Sequence, residues 1–357
     1  ESGRSCLKLS APSGKPGGQV EYASVSEIPS PLSQKDPLVT IGMPTFNREW
    51  SLPRVLESML NLDYDKARMR ICFVDNESTD ATMKIIEEFR AEHGPQYESI
   101  IVAVARSNIS KARNIAFEKA AGTDYIFLLD SDILVKPDTI KRLLAIFEAD
   151  PKVGIASLPW DNRNARKRAG LLYNAFTAPA GPHPAYKVGN GCNIMSMRAV
   201  SEVGGFNERL RVHEDGEYCY RLRKKGYKIV CDFSSEGTHL REIKVDSRFY
   251  LNLMRDSAET YRELIHRGSL LQIVKVLSSI AIVAFFALVL LYPGLYSAVA
   301  FVATLAFALW LNSASVALDD GIHVRLAYRP LVGVLMTVAT MTISAFLLYD
   351  LAFKRRQ

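Results

Sequence analysis

The sequence predicts an α/β domain built around a mostly parallel sheet, followed by hydrophobic helices toward its C-terminal end. Between residues 38 and 149, apolar runs typical of strands alternate with segments of helical periodicity, which is the pattern of βαβ units. Acidic residues directly follow two of the apolar runs. Beyond residue 275, by contrast, long stretches carry no charged residue.

Each element of the first part follows from the spacing of its apolar residues. Short apolar runs predict strands over 38–44, 70–74, 99–105 and 125–129. Apolar residues three or four positions apart predict helices over 51–62, 80–92, 110–121 and 137–149. Because strands and helices alternate, the strands are expected to run parallel, with ligands bound beyond their carboxyl ends.

The strand that begins at Tyr125 ends in Asp130-Ser131-Asp132. Burying two charges is costly, so both aspartates should lie where this strand emerges from the sheet. Two carboxylates separated by one residue can turn toward a single Mg²⁺ or Mn²⁺ ion. The alternative is an ordinary polar strand end.

Two other segments should meet the aspartates at the same edge of the sheet. Pro44-Thr45-Phe46-Asn47-Arg48 follows the first strand, and Asp75 follows the second. An Asp in this place can accept hydrogen bonds from a nucleobase, although a plain turn residue is the alternative. Lys111 and Arg113, near the start of the third helix, offer positive charge for phosphate groups or are solvated helix cations.

Three residues further along the chain complete the set of candidates. Gly191 lies in the segment Gly189-Asn190-Gly191-Cys192-Asn193. Asp215 begins a helical pattern and is either a helix cap or a general base. His239 offers a neutral imidazole for a third metal position, with a structural histidine as the alternative.

Composition limits the classes of function. The 357 residues carry a net charge of +6 without a basic motif interleaved with aromatic residues, so no nucleic-acid partner is expected. The five cysteines are scattered, which fits a reducing compartment. Residues 1–37 are rich in Ser, Pro and Gly and predict a flexible tail without a secretory signal.

The C-terminal part predicts a membrane domain. Residues 276–318 and 330–349 contain no Asp, Glu, Lys or Arg, and three spans are expected at about 270–292, 294–318 and 330–352. A buried helix of a soluble protein is the alternative for any one of them. Basic residues before the first span predict a cytoplasmic catalytic domain, although three spans would then place the basic tail 354–356 outside.

Residues 248–269 predict an amphipathic helix directly before the first span. Its apolar positions share one face, interrupted at Ser257 and Ala258. Such a helix either lies in the membrane interface or packs on the soluble domain.

Taken in order, the motifs PTFNRE, VDNESTD, ARN, LLDSD, GNGCNIM, GGFNE and HEDGE resemble those of the inverting family-2 glycosyltransferases. The resemblance covers roughly residues 38–245 and implies the A-type, Rossmann-like nucleotide-diphospho-sugar fold. With the C-terminal spans, the layout is similar to archaeal membrane mannosyltransferases and to a minimal cellulose-synthase-like enzyme. It divides the chain into a tail (1–37), a catalytic domain (38–247), an interface helix (248–269) and a transmembrane domain (270–353).

The resemblance also implies roles for individual residues. Asp130, Asp132 and His239 would bind Mn²⁺ or Mg²⁺, and Asp215 would be the catalytic base. The donor nucleotide would contact Pro44, Thr45, Asn47, Arg48, Asp75, Arg113, Asp130, Ser131, Asp132 and Gly191. Two departures are evident. Asn76 stands where many members have a second aspartate, and the Q-x-x-R-W motif is absent, which favours transfer of single sugars over processive synthesis.

The function that the resemblance implies is transfer of one hexose, with mannose from GDP-mannose favoured. The acceptor would be a polyprenyl phosphate or a lipid-linked glycan, as in N-glycosylation, and the enzyme a multi-pass protein of the cell membrane. A glucosyl- or N-acetylglucosaminyltransferase that uses a UDP-sugar is one alternative. A non-catalytic, membrane-anchored nucleotide-sugar-binding protein is another, and assembly into a homo-oligomer is left open.

Overall fold

The structure is a computed structural model that describes most of the chain. The described residues are 36–161, 176–177, 181–210, 212–241, 247–291, 294–320, 323–324 and 329–353. The predicted N-terminal tail, except its last two residues, and the basic residues 354–356 lie outside them.

Strands and helices alternate through the first half of the described chain. The strands are β1 (Val39–Thr45), β2 (Met69–Asp75), β3 (Ser99–Val104), β4 (Tyr125–Leu129), β5 (Ile133–Leu134), β6 (Val153–Ser157), β7 (Trp160–Asp161), β8 (Phe176–Thr177), β9 (Pro182–Pro184), β10 (Cys192–Ser196), β11 (Lys228–Asp232), β12 (Gly237–His239) and β13 (His323–Val324). The α-helices are α1 (Leu52–Leu60), α2 (Thr82–His93), α3 (Ile109–Lys119), α4 (Thr139–Ala149), α5 (Met197–Val203), α6 (Glu214–Lys224), α7 (Ser247–His266), α8 (Leu270–Leu291), α9 (Leu295–Asp320) and α10 (Arg329–Phe353). The four strands and four helices predicted before residue 150 are confirmed, with their ends shifted by no more than two residues.

An eight-stranded sheet forms the centre of the α/β domain. Its strand order is β3-β2-β1-β4-β10-β6-β11-β9. β1 pairs in parallel with both β2 and β4, whereas β10 and β9 run antiparallel to their neighbours. The predicted mostly parallel sheet is therefore confirmed. The chain moves outward from β1 to β3 and then returns to β4, so a crevice opens at the carboxyl ends of β1 and β4.

Both faces of the sheet are covered by packed side chains. Val39, Ile41 and Met43 of β1 are fully buried in one core cluster, to which helices α1, α2 and α4 contribute. On the opposite face β1 presents Gly42, where an added Cβ would lie 2.9 Å from the Cβ of Ala116. Helix α3 therefore packs directly on the backbone of β1, which fixes its N-terminal end near the crevice.

Helix α7 is continuous, and the two small residues that interrupt its apolar pattern, Ser257 and Ala258, do not interrupt the helix. Both residues are fully buried. Ala258 belongs to a hydrophobic cluster with Val276 of α8 and with Ile343 and Leu347 of α10. The small side chains that break the apolar pattern in the sequence mark the face on which neighbouring helices approach most closely.

Helices occupy all three segments that were predicted to span a membrane. In the described part of the chain, the segment Leu270–Ala287 is long and apolar enough to cross a bilayer. The apolar stretches Phe301–Asn312 and Met336–Leu348 are shorter than a full span. Three transmembrane crossings thus stay a prediction.

Candidate active site

Asp75 ends β2 and organises the turn that follows it. The residue is fully buried, and its carboxylate accepts hydrogen bonds from the Ser78 backbone N–H at 2.8 Å and from the Ser78 hydroxyl at 2.6 Å. The same hydroxyl accepts a hydrogen bond from the backbone N–H of Asn47 at 2.9 Å. Asp75 therefore holds the segments after β1 and β2 together, and its contact with a nucleobase stays a prediction.

Arg48 links the segment after β1 to the acidic residues after β4. Its backbone N–H donates to the Thr82 hydroxyl at 2.7 Å, and Nη2 of its guanidinium lies 3.6 Å from Oδ2 of Asp132. The preceding residue, Asn47, has a left-handed φ of 50°, and its side-chain oxygen accepts from the Thr79 N–H at 2.9 Å. These contacts fix the backbone from which Arg48 reaches the aspartate.

The ends of β1 and β4 are joined by Ser131. Its hydroxyl donates to the Pro44 carbonyl at 3.0 Å, and its own carbonyl accepts from the Ser51 hydroxyl at 2.8 Å. The Thr45 carbonyl in turn accepts from the backbone N–H of Asn76 at 2.9 Å. Pro44, Thr45 and Ser131 thus have backbone roles that set the shape of the crevice.

A cavity of about 700 Å³ lies beyond β1, β2 and β3, beside the start of α3. This volume is within the range of roughly 300–1,000 Å³ that is usual for ligand pockets. Phe46 is 47% exposed and gives the cavity an aromatic surface. The lining residues are Phe46, Asn76, Glu77, Thr79, Arg106, Ser107, Asn108, Lys111 and Glu208. An aromatic face with amides and charges around it suits a nucleoside.

Asp130 and Asp132 lie directly beyond β4. The Asp130 side chain is 32% exposed, whereas that of Asp132 is only 7% exposed. Oδ1 of Asp132 lies 3.7 Å from Nε2 of His239. Burial raises the pKa of Asp132, with His239 and Arg48 opposing the rise and Asp130 adding to it. A bound cation would favour the ionised carboxylate that burial penalises.

Gly191 lies where β10 approaches Asp130 most closely. Its carbonyl accepts from the Asp130 N–H at 3.0 Å. A Cβ at position 191 would lie 2.6 Å from Cδ1 of Ile133 and 2.9 Å from Oδ2 of Asp130. Any side chain here would push the carboxylate away, so Gly191 serves the site by leaving space for Asp130.

Arg113 connects the two acidic parts of the site. Its side chain is 5% exposed, with Nη1 2.6 Å from Oε1 of Glu214 and Nη2 3.2 Å from Oδ1 of Asp130. The guanidinium also lies 5.8 Å from the centre of the Phe206 ring. Arg113 is thus a buried bridge, while Lys111 from the same helix lines the cavity. Contact of Arg113 with a diphosphate stays a prediction.

Asp215 lies in the first turn of α6, next to Glu214. It is partly buried, and Oδ1 accepts a hydrogen bond from the Gly216 N–H at 2.7 Å. Burial raises the pKa of Glu214, with the charge of Asp215 adding to the rise and Arg113 opposing it. Arg113 forms an ion pair with Glu214. Asp215 forms no ion pair with the residues that the structure describes.

Helix α7 fixes the segment that carries Asp215. Oγ of Ser257 lies 2.8 Å from Nε2 of His213, a residue with a left-handed φ of 57°. The Thr260 hydroxyl donates to the Val212 carbonyl at 2.8 Å. Because the other side of α7 packs on α8 and α10, this helix connects the candidate base to the hydrophobic helices.

The predicted metal ligands are suitable in chemistry but do not form a closed cluster. In the part of the chain that the structure describes, no three His, Cys, Asp or Glu side chains converge as a metal site. Two carboxylates and an imidazole nonetheless suit Mn²⁺ or Mg²⁺, and the partly exposed Asp130 offers an accessible oxygen. Arg48 and Arg113 hold both carboxylates in place for such an ion.

Two functional candidates escape prediction from the sequence. Glu214 lies in the acidic motif beside Asp215, but its pairing with Arg113 spans 101 positions and has no local signal. Glu77 occupies a turn with a φ of 55°, and a bulky residue in a turn that favours glycine is the signal that could have revealed it.

The fold and the residues at the crevice agree with the A-type nucleotide-sugar fold that the sequence motifs imply. Residues 40–202 match the family described as Glycosyl transferase family 2. This match agrees with the predicted class of enzyme, a glycosyltransferase.

Sequence relatives agree with this assignment. The chain is 28% identical over 246 residues to a chondroitin synthase of Escherichia coli, covering 66% of this chain and 35% of that protein. It is 26% identical over 208 residues to a chondroitin synthase of Pasteurella multocida, covering 57% and 21% of the two chains. The chain therefore spans about a third of the length of these relatives or less.

A solved structure shows the same fold. The mannosyltransferase PcManGT from Pyrobaculum calidifontis, in complex with GDP-Man and Mn²⁺, has a TM-score of 0.57 and 17% sequence identity. The likeness covers 89% of this chain and 88% of that one.

Proposed function

We propose that this protein is a membrane-bound inverting glycosyltransferase that transfers one hexose from a nucleotide-diphospho-sugar to a lipid-linked acceptor. The observation that carries the proposal is the arrangement around Arg113. Its guanidinium forms ion pairs with Asp130, a candidate metal ligand, and with Glu214. Glu214 directly precedes the candidate base, Asp215. The donor and base sides of the crevice are therefore connected by a buried bridge.

The cavity and the acidic residues would bind different parts of the donor. The base and ribose would occupy the cavity beside Phe46, with Arg48 and Lys111 supplying positive charge toward the phosphates. Asp130 and Asp132, with His239 as a further ligand, would hold Mn²⁺ or Mg²⁺. When bound, the cation supplies charge neutralisation for the diphosphate leaving group.

The reaction itself is a single displacement. Asp215 accepts the proton of the acceptor hydroxyl, whose oxygen forms a bond to the anomeric carbon while the bond from that carbon to the diphosphate breaks. Attack from the side opposite the leaving group inverts the anomeric carbon. A positioned carboxylate is among the side chains that serve enzymes as general bases.

Two donors are supported by different relatives. GDP-mannose is favoured because the structural neighbour PcManGT is a mannosyltransferase in complex with GDP-Man and Mn²⁺. A UDP-sugar is the second candidate, because sequence relatives include chondroitin synthases and the poly(ribitol-phosphate) β-N-acetylglucosaminyltransferase TarS of Staphylococcus aureus.

Nucleotide binding tests the donor site directly. GDP, UDP, CDP and ADP are each added to the detergent-purified protein with Mn²⁺. The nucleotide that belongs to the donor should raise the thermal midpoint of unfolding. A ligand at 100 times its dissociation constant stabilises a protein by about 2.7 kcal/mol. The shift should shrink when EDTA removes the metal, and Asp132→Asn should abolish the metal-dependent part. A response that is flat for all four nucleotides would remove the donor-site assignment.

The exposed surface of α8, α9 and α10 supports membrane embedding. Among residues with described side chains, all exposed large hydrophobic residues except Phe46, Trp50 and Val104 lie on these helices. Basic residues precede them, including Arg255, which is consistent with a cytoplasmic catalytic domain. An acceptor carried on a lipid would then reach the crevice along the membrane plane.

The interior of the helical bundle contains polar contacts in addition to the hydrophobic cluster around Ala258. Asn312 of α9 is buried, donates to the Thr337 hydroxyl at 3.2 Å and accepts from the Thr340 hydroxyl at 3.0 Å. Gly333 of α10 leaves no room for a Cβ, which would lie 2.7 Å from the Leu309 carbonyl oxygen. Close packing through small residues and polar contacts between helices is typical of proteins in a lipid environment.

Extraction of cell membranes tests this placement. We expect the protein to stay in the membrane pellet after washing at pH 11, because its apolar helix surfaces are stable only in lipid. A peripheral protein attached by charge is released by the same treatment and serves as the control. Release of this protein into the supernatant would contradict a spanning helix.

A further inference from the structure

Glu77 has the most unusual backbone conformation in the donor cavity. Asn47, Glu77 and His213 are the non-glycine residues with left-handed φ in the described chain, and all three lie at the candidate site. Asn and His are several-fold enriched in this region of φ, whereas Glu is not. Such a residue persists only where the surroundings impose its conformation, and strain of this kind concentrates at binding sites.

Hydrogen bonds on either side of Glu77 maintain its strained backbone conformation. Asp75 binds both the backbone N–H and the hydroxyl of Ser78, so the turn is closed on either side of Glu77. The carboxylate of Glu77 is exposed and lines the cavity. It makes no hydrogen bond with the residues that the structure describes. The turn thus presents a charged group to the cavity at a cost in backbone energy.

Both side-chain amide oxygens of the cavity wall, and one oxygen of its other carboxylate, already accept hydrogen bonds. The side-chain oxygen of Asn76 accepts from the Ser107 N–H at 2.7 Å. That of Asn108 accepts from the Lys111 N–H at 2.9 Å. Oε1 of Glu208 accepts from Nδ2 of Asn114 at 2.9 Å. Glu77 is therefore the wall residue with both oxygens open to a ligand.

A carboxylate accepts two hydrogen bonds side by side, which restricts the nucleobase that it can bind. Guanine presents two adjacent donors, N1–H and the N2 amino group. Uracil presents one N–H between two carbonyl oxygens, which a carboxylate repels. The cation Arg106 on the same wall matches the O6 and N7 acceptors of guanine.

We propose that Glu77 selects a guanine nucleotide by accepting hydrogen bonds from N1–H and N2–H of the base. The inference rests on the proposed donor site and names its specificity-determining residue. It assigns recognition of the base to Glu77 in place of Asp75, whose oxygens are both bound to Ser78.

Affinities of GDP, IDP and UDP test this proposal, measured calorimetrically on the full chain with Mn²⁺. Inosine lacks the N2 amino group, so wild-type protein should bind GDP most tightly, IDP less tightly and UDP least. Glu77→Gln and Glu77→Gly should each weaken GDP binding about 10- to 100-fold, in line with a bidentate base contact. Both variants should keep or raise the affinity for UDP, because they remove the carboxylate that repels the uracil carbonyl oxygens.

The two variants separate recognition from folding. Glycine adopts a left-handed φ without strain, so Glu77→Gly should keep or raise the thermal midpoint while GDP affinity falls. The control Glu118→Gln removes an exposed carboxylate from α3 and should leave all three affinities unchanged. Tighter binding of UDP than GDP, or a GDP-to-UDP ratio unaffected by Glu77→Gln, would overturn the role of Glu77. Absence of binding by any of the three would overturn the donor site itself.

Discussion

Asp215→Asn should lower the rate of sugar transfer about 10²–10⁴-fold, the usual loss when a general base is removed. The amide keeps the shape of the side chain and can still accept from the Gly216 N–H, as Oδ1 does now at 2.7 Å. Fold and donor affinity should therefore be preserved while turnover is lost. The measurement is release of the donor nucleotide in membranes that supply the proposed lipid-linked acceptor.

Glu214→Gln is the matched control, because Glu214 is the adjacent carboxylate and the other candidate for the base. Its charge is paired with Arg113, so we expect a much smaller loss of turnover than for Asp215→Asn. If Asp215→Asn kept turnover within about fivefold of wild type, Asp215 would not be the base. If Glu214→Gln alone abolished turnover at unchanged stability, Glu214 would be the general base.

Arg113→Met should destabilise the folded protein by about 3–5 kcal/mol, the usual range when one partner of a buried ion pair is removed. The guanidinium is 5% exposed and Glu214 is 13% exposed, so solvent cannot replace the lost partner. The free energy of unfolding in detergent, measured by urea titration, reports the change. Adding Glu214→Gln should recover part of the loss, because the double variant leaves no unpaired charge at Glu214.

The stability loss of Arg113→Met should depend on pH. Burial raises the pKa of Glu214, and Arg113 opposes that rise, so its removal raises the pKa further. A raised carboxyl pKa means that the folded state prefers the protonated form. The stability gap to wild type should then be smallest at acidic pH and widen as the pH rises through that pKa. A gap that is constant with pH, or that narrows as the pH rises, would contradict a charge effect at Glu214.

The elements around the crevice could be read from the sequence because their signals are local. Alternating apolar runs and helical spacing placed β1 to β4 and α1 to α4 within two residues. The run from Tyr125 to Leu129 also located Asp130 and Asp132, since charged side chains cannot continue a buried strand. The long charge-free stretches likewise predicted the positions of the three C-terminal helices.

Long-range pairing could not be read in the same way. The burial of Arg113 between Asp130 and Glu214 has no local signal in the sequence. Ser257 and Ala258 interrupt the apolar pattern of α7, yet they are buried because neighbouring segments approach there. In each case the environment of a residue depends on segments that are distant in the chain.

The sequence by itself determined which residues form strands and helices and which acidic residues end the strands, because periodicity and the cost of buried charge act over a few positions. Only the tertiary structure decided which charges pair and which oxygens stay open to a ligand. Asp75 and Glu77 show the difference. They are two positions apart, but hydrogen bonds from Ser78 satisfy the oxygens of Asp75, and a left-handed turn directs Glu77 to the cavity.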